Sequence, residues 1–155
     1  MNKFAINSRI LGLDFGDKTI GVAVSDPFGI MALGVETIRR DRESALRASI
    51  RRLDELVRQY SVDAIILGFP KNMDNTQGER CAKTLVFKEK LHSSFKDIQV
   101  ILWDERLSTA GAKRTLSGHV HEDKVIDEMA AVFILQGYLD YLANFQKKEE
   151  CNDGV

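Results

Sequence analysis

An α/β fold built on a mixed, five-stranded sheet is the architecture that these 155 residues predict. Three observations predict it. Strand-like segments at residues 10–14, 19–25 and 30–38 follow one another with only short turns between, as in an antiparallel meander. Two later runs, 64–68 and 100–103, are short and wholly apolar, as strands buried on both faces are. Helical periodicity separates those runs and follows them, the alternation that crossover connections produce, with helices on both faces of the sheet.

Each element has a local reason. Residues 1–9 read as a loose lead-in. Gly16 supplies a position tolerant of positive φ, and Asp17 and Lys18 complete the first tight turn. Pro27 and Gly29 make the second, because proline presets φ and glycine closes the reversal. In the third strand Met31, Leu33, Val35 and Thr37 share one face. Asp41 is placed to cap a first helix, whose apolar face is Leu46, Ile50, Leu53 and Val57 with arginines on the other side. After the 64–68 strand, residues 71–78 form the longest polar loop of the chain. A second helix follows over 79–95, with Ala82, Leu85, Val86 and Leu91 inward. The 100–103 strand runs straight into Asp104, Glu105 and Arg106. A short helix at 109–116, a loop at 117–123 and a deeply packed final helix at 124–145 complete the domain, 1–145, and 146–155 read as a flexible tail.

Composition bounds the function. The chain is 44% hydrophobic and 29% charged, ordinary for one globular domain. No apolar run nears the ~18 residues of a membrane span, and residues 1–9 contain no apolar core of leader length. A cytoplasmic protein without a membrane partner is expected. Cys81 and Cys151 lack metal spacing and read as reduced thiols. The net charge of −1 does not advertise a polyanion ligand. Yet residues 39–58 hold seven arginines against four acids. That run is either a solvated helix face or a basic stripe for phosphates.

The chemistry lies in acids at strand ends. Asp14 closes the first strand, Asp104 and Glu105 close the fifth, and Asp127 lies one turn into the last helix. Ligands of α/β sheets collect at the carboxyl ends of strands. Asp14 is open to two roles, a cap on the turn amides or a ligand. If these ends converge, the carboxylates raise one another's pKa unless a cation sits between them. Hard divalent ions take such oxygens together with substrate phosphate oxygens and water. Two ions in such a site can activate water and stabilise the leaving oxygen of a phosphodiester. The alternative is a set of caps and surface ion pairs. Neighbouring residues alternate in direction along a strand, so Asp104 and Glu105 point to opposite faces.

Four stretches resemble one family. They are LGLDFGDKTIGVAVSD (11–26), GFPKNMD (68–74, with Gly78 following), DERLST (104–109) and IDEMAAVFILQ (126–136). In this order, across residues 9–142, they resemble the YqgF (RuvX) family. The resemblance implies an RNase H-like fold of the RuvC-resolvase kind. It implies a nuclease that helps process the 5′ end of pre-16S rRNA, with Holliday-junction resolvases among its relatives. Carried over by motif, Asp14, Glu105 and Asp127 are the catalytic acids, and Asp104 joins them as a metal ligand. The ion is Mg²⁺ or Mn²⁺. Lys18, Lys71, Asn72 and Arg106 are the candidate substrate contacts. The partner is nucleic acid, with structured RNA favoured over branched DNA, in a ribosome precursor, and the protein itself a monomer or homodimer. The chain departs from the family pattern at Thr19, where a basic residue is usual. It departs again at residues 31–34, which lack a further proline, and at Asn75, where glycine is usual.

Two rivals stand beside this reading. One is a nucleic-acid-binding factor in transcription or ribosome assembly that turns nothing over. The other is an ATPase, because Asp-x-Gly followed by Gly-Val-Ala-x-Ser-Asp also resembles the first phosphate loop of the actin and sugar-kinase fold. That fold binds nucleotide between two domains, and 155 residues offer one. His119 and His121 have spacing suited to a softer metal, without a cysteine or third histidine near them in sequence.

Overall fold

The structure is a computed structural model that describes residues 8–42, 45–69, 78–104 and 123–153. Its elements are β1 (Arg9–Phe15), β2 (Thr19–Ser25), β3 (Ala32–Arg39), α1 (Leu46–Gln59), β4 (Val62–Phe69), α2 (Gly78–Ser94), β5 (Gln99–Asp104) and α3 (Asp123–Asp153). The sheet order is β3-β2-β1-β4-β5. β1 pairs antiparallel with β2 and parallel with β4, β2 pairs antiparallel with β3, and β4 pairs parallel with β5. The meander and the two crossover strands thus meet at β1, which lies at the centre. The predicted short helix at 109–116 lies outside the described residues.

Alternation along the strands divides the core in two. Leu11, Leu13, Ile20, Val22, Ile65 and Leu67 face α1 and α2, where they meet Leu53, Leu56, Phe87 and Leu91. Ile10, Ala23, Ala32, Ala64 and Ile66 face α3, where they meet Ala131, Ile134, Leu135 and Leu139. The α3 face is made of smaller side chains, so the helix seats closely. A Cβ on Gly12 would stand 2.7 Å from Leu135 Cβ and 3.1 Å from the Ala131 carbonyl oxygen. Glycine there is a requirement of helix–sheet approach.

Four local expectations differ from the structure. Asp41 does not cap α1: the helix starts after Ala45, which makes no side-chain cap. α2 buries Thr84, Phe87 and Leu91, while Leu85 and Val86 are exposed. Phe87 is drawn inward by a parallel stack on Phe15, with ring centroids 4.1 Å apart. Thr84 tolerates burial because its hydroxyl donates to the Arg80 carbonyl at 2.9 Å. In β3 the pairing shifts register opposite Val22 and Ala23, which breaks strict alternation. Ala32 and Ile38 are therefore buried on opposite faces, and Met31 and Leu33 are exposed. α3 also runs on to Asp153, past the 145 expected for its end.

One side chain of α3 locks the turn between β2 and β3. Gln136 Oε1 accepts from Ala32 N at 2.9 Å, and its Nε2 donates to the Ile30 carbonyl at 2.9 Å and to Asp140 Oδ1 at 3.0 Å. Asp26 Oδ1 accepts from the amides of Ile30 and Met31 within the same turn. Among the described residues, no helix is long and apolar enough to cross a membrane.

Candidate active site

The β1–β2 turn is held from below by a buried arginine. Gly16 N donates to Thr19 O at 2.8 Å, closing the hairpin. Arg40, only 6% exposed, donates from Nη2 to the carbonyls of Gly16 and Asp17, and its own amide donates to Lys18 O. Its guanidinium lies 4.9 Å from the centroid of Phe15, a ring that also stacks on Phe87. Lys83 of α2 pairs with Asp17 at 3.4 Å. In the sequence Arg40 belongs to a run open to two readings, a solvated helix face or a basic stripe, and nothing in its local pattern distinguishes it from its neighbours. The structure makes it a clamp that fixes the turn bearing Lys18, whose own side chain is exposed.

Asp14 stands two residues beyond Gly12 and pairs with Gly21 of β2. It alternates with Leu13 and Phe15, so its side chain is on the face that α3 covers, and it is partly buried. Asp104 is on the other face. In β5, Val100 and Leu102 pack toward α1 and α2, Ile101 and Trp103 toward α3, and Asp104 follows in the first set. The two acids that end β1 and β5 are thus separated by the sheet itself.

α3 runs antiparallel to β1 and β3. Glu128 and Val132 lie against Gly34, whereas Gln136 bonds to Ala32 and Ile30, so the helix descends as β3 rises. Ala131 and Leu135 bracket Gly12. Asp127 precedes Ala131 by one turn, about 6 Å, and Asp14 follows Gly12 by two strand residues, about 7 Å. The backbone of Asp127 and the end of β1 therefore lie toward the same edge on the same face. The side chain of Asp127, and all of Glu105, Arg106, Lys71, Asn72, Asn75, His119 and His121, lie outside what is described. Among the described residues, no group of three acids, histidines or cysteines is close enough to hold a metal.

Surrounding charges are mostly structural. Arg52 bridges Glu36 and Glu55, each at 2.6 Å, and these carboxylates, Glu36 first, hold its guanidinium above its usual pKa. Arg58 pairs with Asp54 at 3.2 Å. Trp103 packs edge-on to Tyr138 at 5.5 Å. Burial, with a smaller contribution from Tyr141, raises the Tyr138 phenol above its ordinary value of 10.0.

Comparison with known proteins agrees with this arrangement. Residues 8–141 match the family described as RuvX, Holliday junction resolvase. A protein of Agathobacter rectalis named "Putative pre-16S rRNA nuclease" is 54% identical over 140 residues, covering 88% of this chain and 97% of that protein. Relatives of the same name from Desulfitobacterium hafniense and Bacillus licheniformis are 50% and 53% identical, covering 91% and 86% of this chain and 99% and 98% of theirs. The RuvC of T. thermophilus, solved with a Holliday junction substrate, superposes with a TM-score of 0.60 at 13% identity, over 88% of this chain and 95% of that one. The expected RNase H-like fold of the RuvC kind is therefore the fold observed, and at these identities and coverages the chain belongs to the RuvX family.

Proposed function

We propose that this protein is a metal-dependent nuclease that hydrolyses phosphodiester bonds in structured RNA, and that its task is 5′-end processing of pre-16S rRNA. The observation that carries the reading is the position of Asp14. It ends the central strand, on the face where α3 brings its first turns, and it faces a glycine across the strand pair. Gly21, directly opposite on β2, carries no side chain. The names of the relatives support the substrate.

Carboxylate oxygens are hard donors that suit Mg²⁺ or Mn²⁺. Asp14, Glu105 and Asp127 would hold the ion. When bound, a divalent ion supplies a more acidic water and charge stabilisation at the phosphoryl oxygens. The residues do the rest. Asp14, anchored in a paired strand, keeps its oxygens in a fixed place. Asp127 arrives on a helix seated at Gly12, so its distance from Asp14 is set by that contact. Glu105 is favoured over Asp104 because Asp104 occupies the opposite face from Asp14. Lys18, on the turn that Arg40 clamps, meets phosphate, and Lys71, Asn72 and Arg106 are assigned the same role.

The test is cleavage of labelled structured RNA and of a four-way DNA junction with Mg²⁺, Mn²⁺ or EDTA. Cleavage that stops in EDTA is expected, with RNA the better substrate. Asp14→Asn, Glu105→Gln and Asp127→Asn should each lower the rate by about 100-fold or more, while Asp104→Asn keeps most of it. Unchanged cleavage by the Asp14 and Asp127 variants would sink the mechanism. Preference for the junction would shift the substrate to branched DNA, as the family description has it. Binding without product under any metal would favour the non-catalytic factor.

A further inference from the structure

We infer that Arg39 is a substrate-positioning residue, holding a backbone phosphate of the bound nucleic acid beside the scissile one. The inference rests on the nuclease reading of the Asp14 site and adds a contact that the sequence motifs do not contain.

The sheet lattice places it. Asp14 pairs with Gly21, and Gly21 pairs with Thr37 of β3, so these three form one row across the strands. Two residues further along β3, Arg39 pairs with Thr19. Ile20 and Ile38 between these rows point into the α1–α2 core. Alternation then puts Thr19, Gly21, Thr37 and Arg39 on the face of Asp14. Arg39 is two strands across and two residues along from Asp14, about 12 Å between Cα atoms. The β2 and β3 residues between them on this face are Gly21 and two threonines, and the start of α3 lies toward the same edge. No large side chain of β2 or β3 intervenes, and a guanidinium lying over them comes within one bridging phosphate of Asp14.

Three of the other six arginines of the 39–58 run are engaged, while Arg42, Arg47 and Arg51 are exposed but lie outside the sheet, the last two on α1 at its opposite face. Arg40 is the buried clamp, Arg52 is neutralised by Glu36 and Glu55, and Arg58 by Asp54. Arg39 is exposed and makes no ion pair among the described residues, although Asp41 is near in sequence. An exposed cation at the catalytic edge of a chain with net charge −1 is suited to a phosphodiester. Arginine presents a planar fork that binds phosphate oxygens in pairs, which lysine does not. Thr19, directly opposite on β2, is short and uncharged and leaves the guanidinium room.

Fluorescence anisotropy of a labelled structured RNA in EDTA, titrated over a range of KCl, tests this, with Mn²⁺-dependent cleavage kinetics in parallel. Arg39→Gln should weaken binding about tenfold and lower the slope of log K against log salt by about 0.7–0.9, one phosphate's worth. It should raise KM more than it lowers kcat. Arg39→Lys should keep the salt slope while losing part of the affinity, and Arg58→Gln should change neither. A slope for Arg39→Gln equal to that of the unaltered protein overturns the inference. Cleavage by the unaltered protein with that result would leave the nuclease reading intact. Binding without cleavage, with the slope change present, would do the reverse, and no binding at all would overturn both.

Discussion

Replacing Gly12 by alanine tests the link between packing and the site. The added Cβ would meet Leu135 Cβ at 2.7 Å and the Ala131 carbonyl oxygen at 3.1 Å. Neither is the far end of a flexible side chain, so relief requires α3 to move off the sheet. Overpacking of this kind costs about 1–3 kcal/mol. Alanine recovers ~0.5–1 kcal/mol through the lower chain entropy of the unfolded state. A net loss of up to about 2.5 kcal/mol remains, which for a chain of this size lowers Tm by as much as roughly 10 °C. Gly34 is the matched comparison. Its added Cβ would stand 3.7 Å from Glu128 and Val132, an ordinary contact, so Gly34→Ala should be neutral or slightly stabilising. Thermal unfolding followed by circular dichroism measures both. Nuclease rate, compared well below Tm, should fall further for Gly12→Ala than its stability explains, because the helix that carries Asp127 is displaced. A Tm for Gly12→Ala at or above that of the parent protein, or an equal loss in Gly34→Ala, would refute the reasoning.

Two further perturbations probe neighbouring contacts. Gln136→Leu removes one acceptor and two donated bonds from the β2–β3 turn and α3, and should cost about 1–3 kcal/mol. Amide exchange at Ile30 to Ala32 should quicken, while exchange in β4 follows only the global loss. Tyr138 gives a pH signature. Its folded pKa is raised above 10.0, so at alkaline pH the unfolded state loses this proton first. The associated stability is complete below about pH 10 and is lost as pH rises through the folded value. Urea midpoints, read by the fluorescence of Trp103, the one tryptophan of the chain, should fall more steeply above pH 10 in the parent than in Tyr138→Phe. Equal slopes would show that the phenol is not held neutral by the fold.

Much of the architecture was legible because it rests on strong local signals. The wholly apolar 64–68 and 100–103 runs became the parallel strands β4 and β5, and the two tight turns produced the meander. What was not legible depended on partners distant in the chain. The inward face of α2 is chosen by Phe15, 72 residues before Phe87, and no periodicity within the helix reports that stack. The β3 face was misassigned because one register shift inverts alternation, and a bulge has no composition of its own. For the site, the motifs located Asp14 and Asp104 at strand ends, but only pairing with β4 revealed that they occupy opposite faces. Arg40 looked like its neighbours until the turn it clamps was folded above it.

The close seat of α3 has a consequence for synthesis. Everything through β5 can form a sheet covered on one side by α1 and α2, with Ile10, Ala23, Ala64 and Ile66 bare on the other until the last helix is made. An unfinished chain therefore presents a flat, small-residue apolar surface at the stage when collisions with other nascent chains are most damaging. It also lacks Asp127. The helix that ends this exposure delivers the last acid of the proposed site, so protection from aggregation and the capacity to cut RNA would arrive in one docking event.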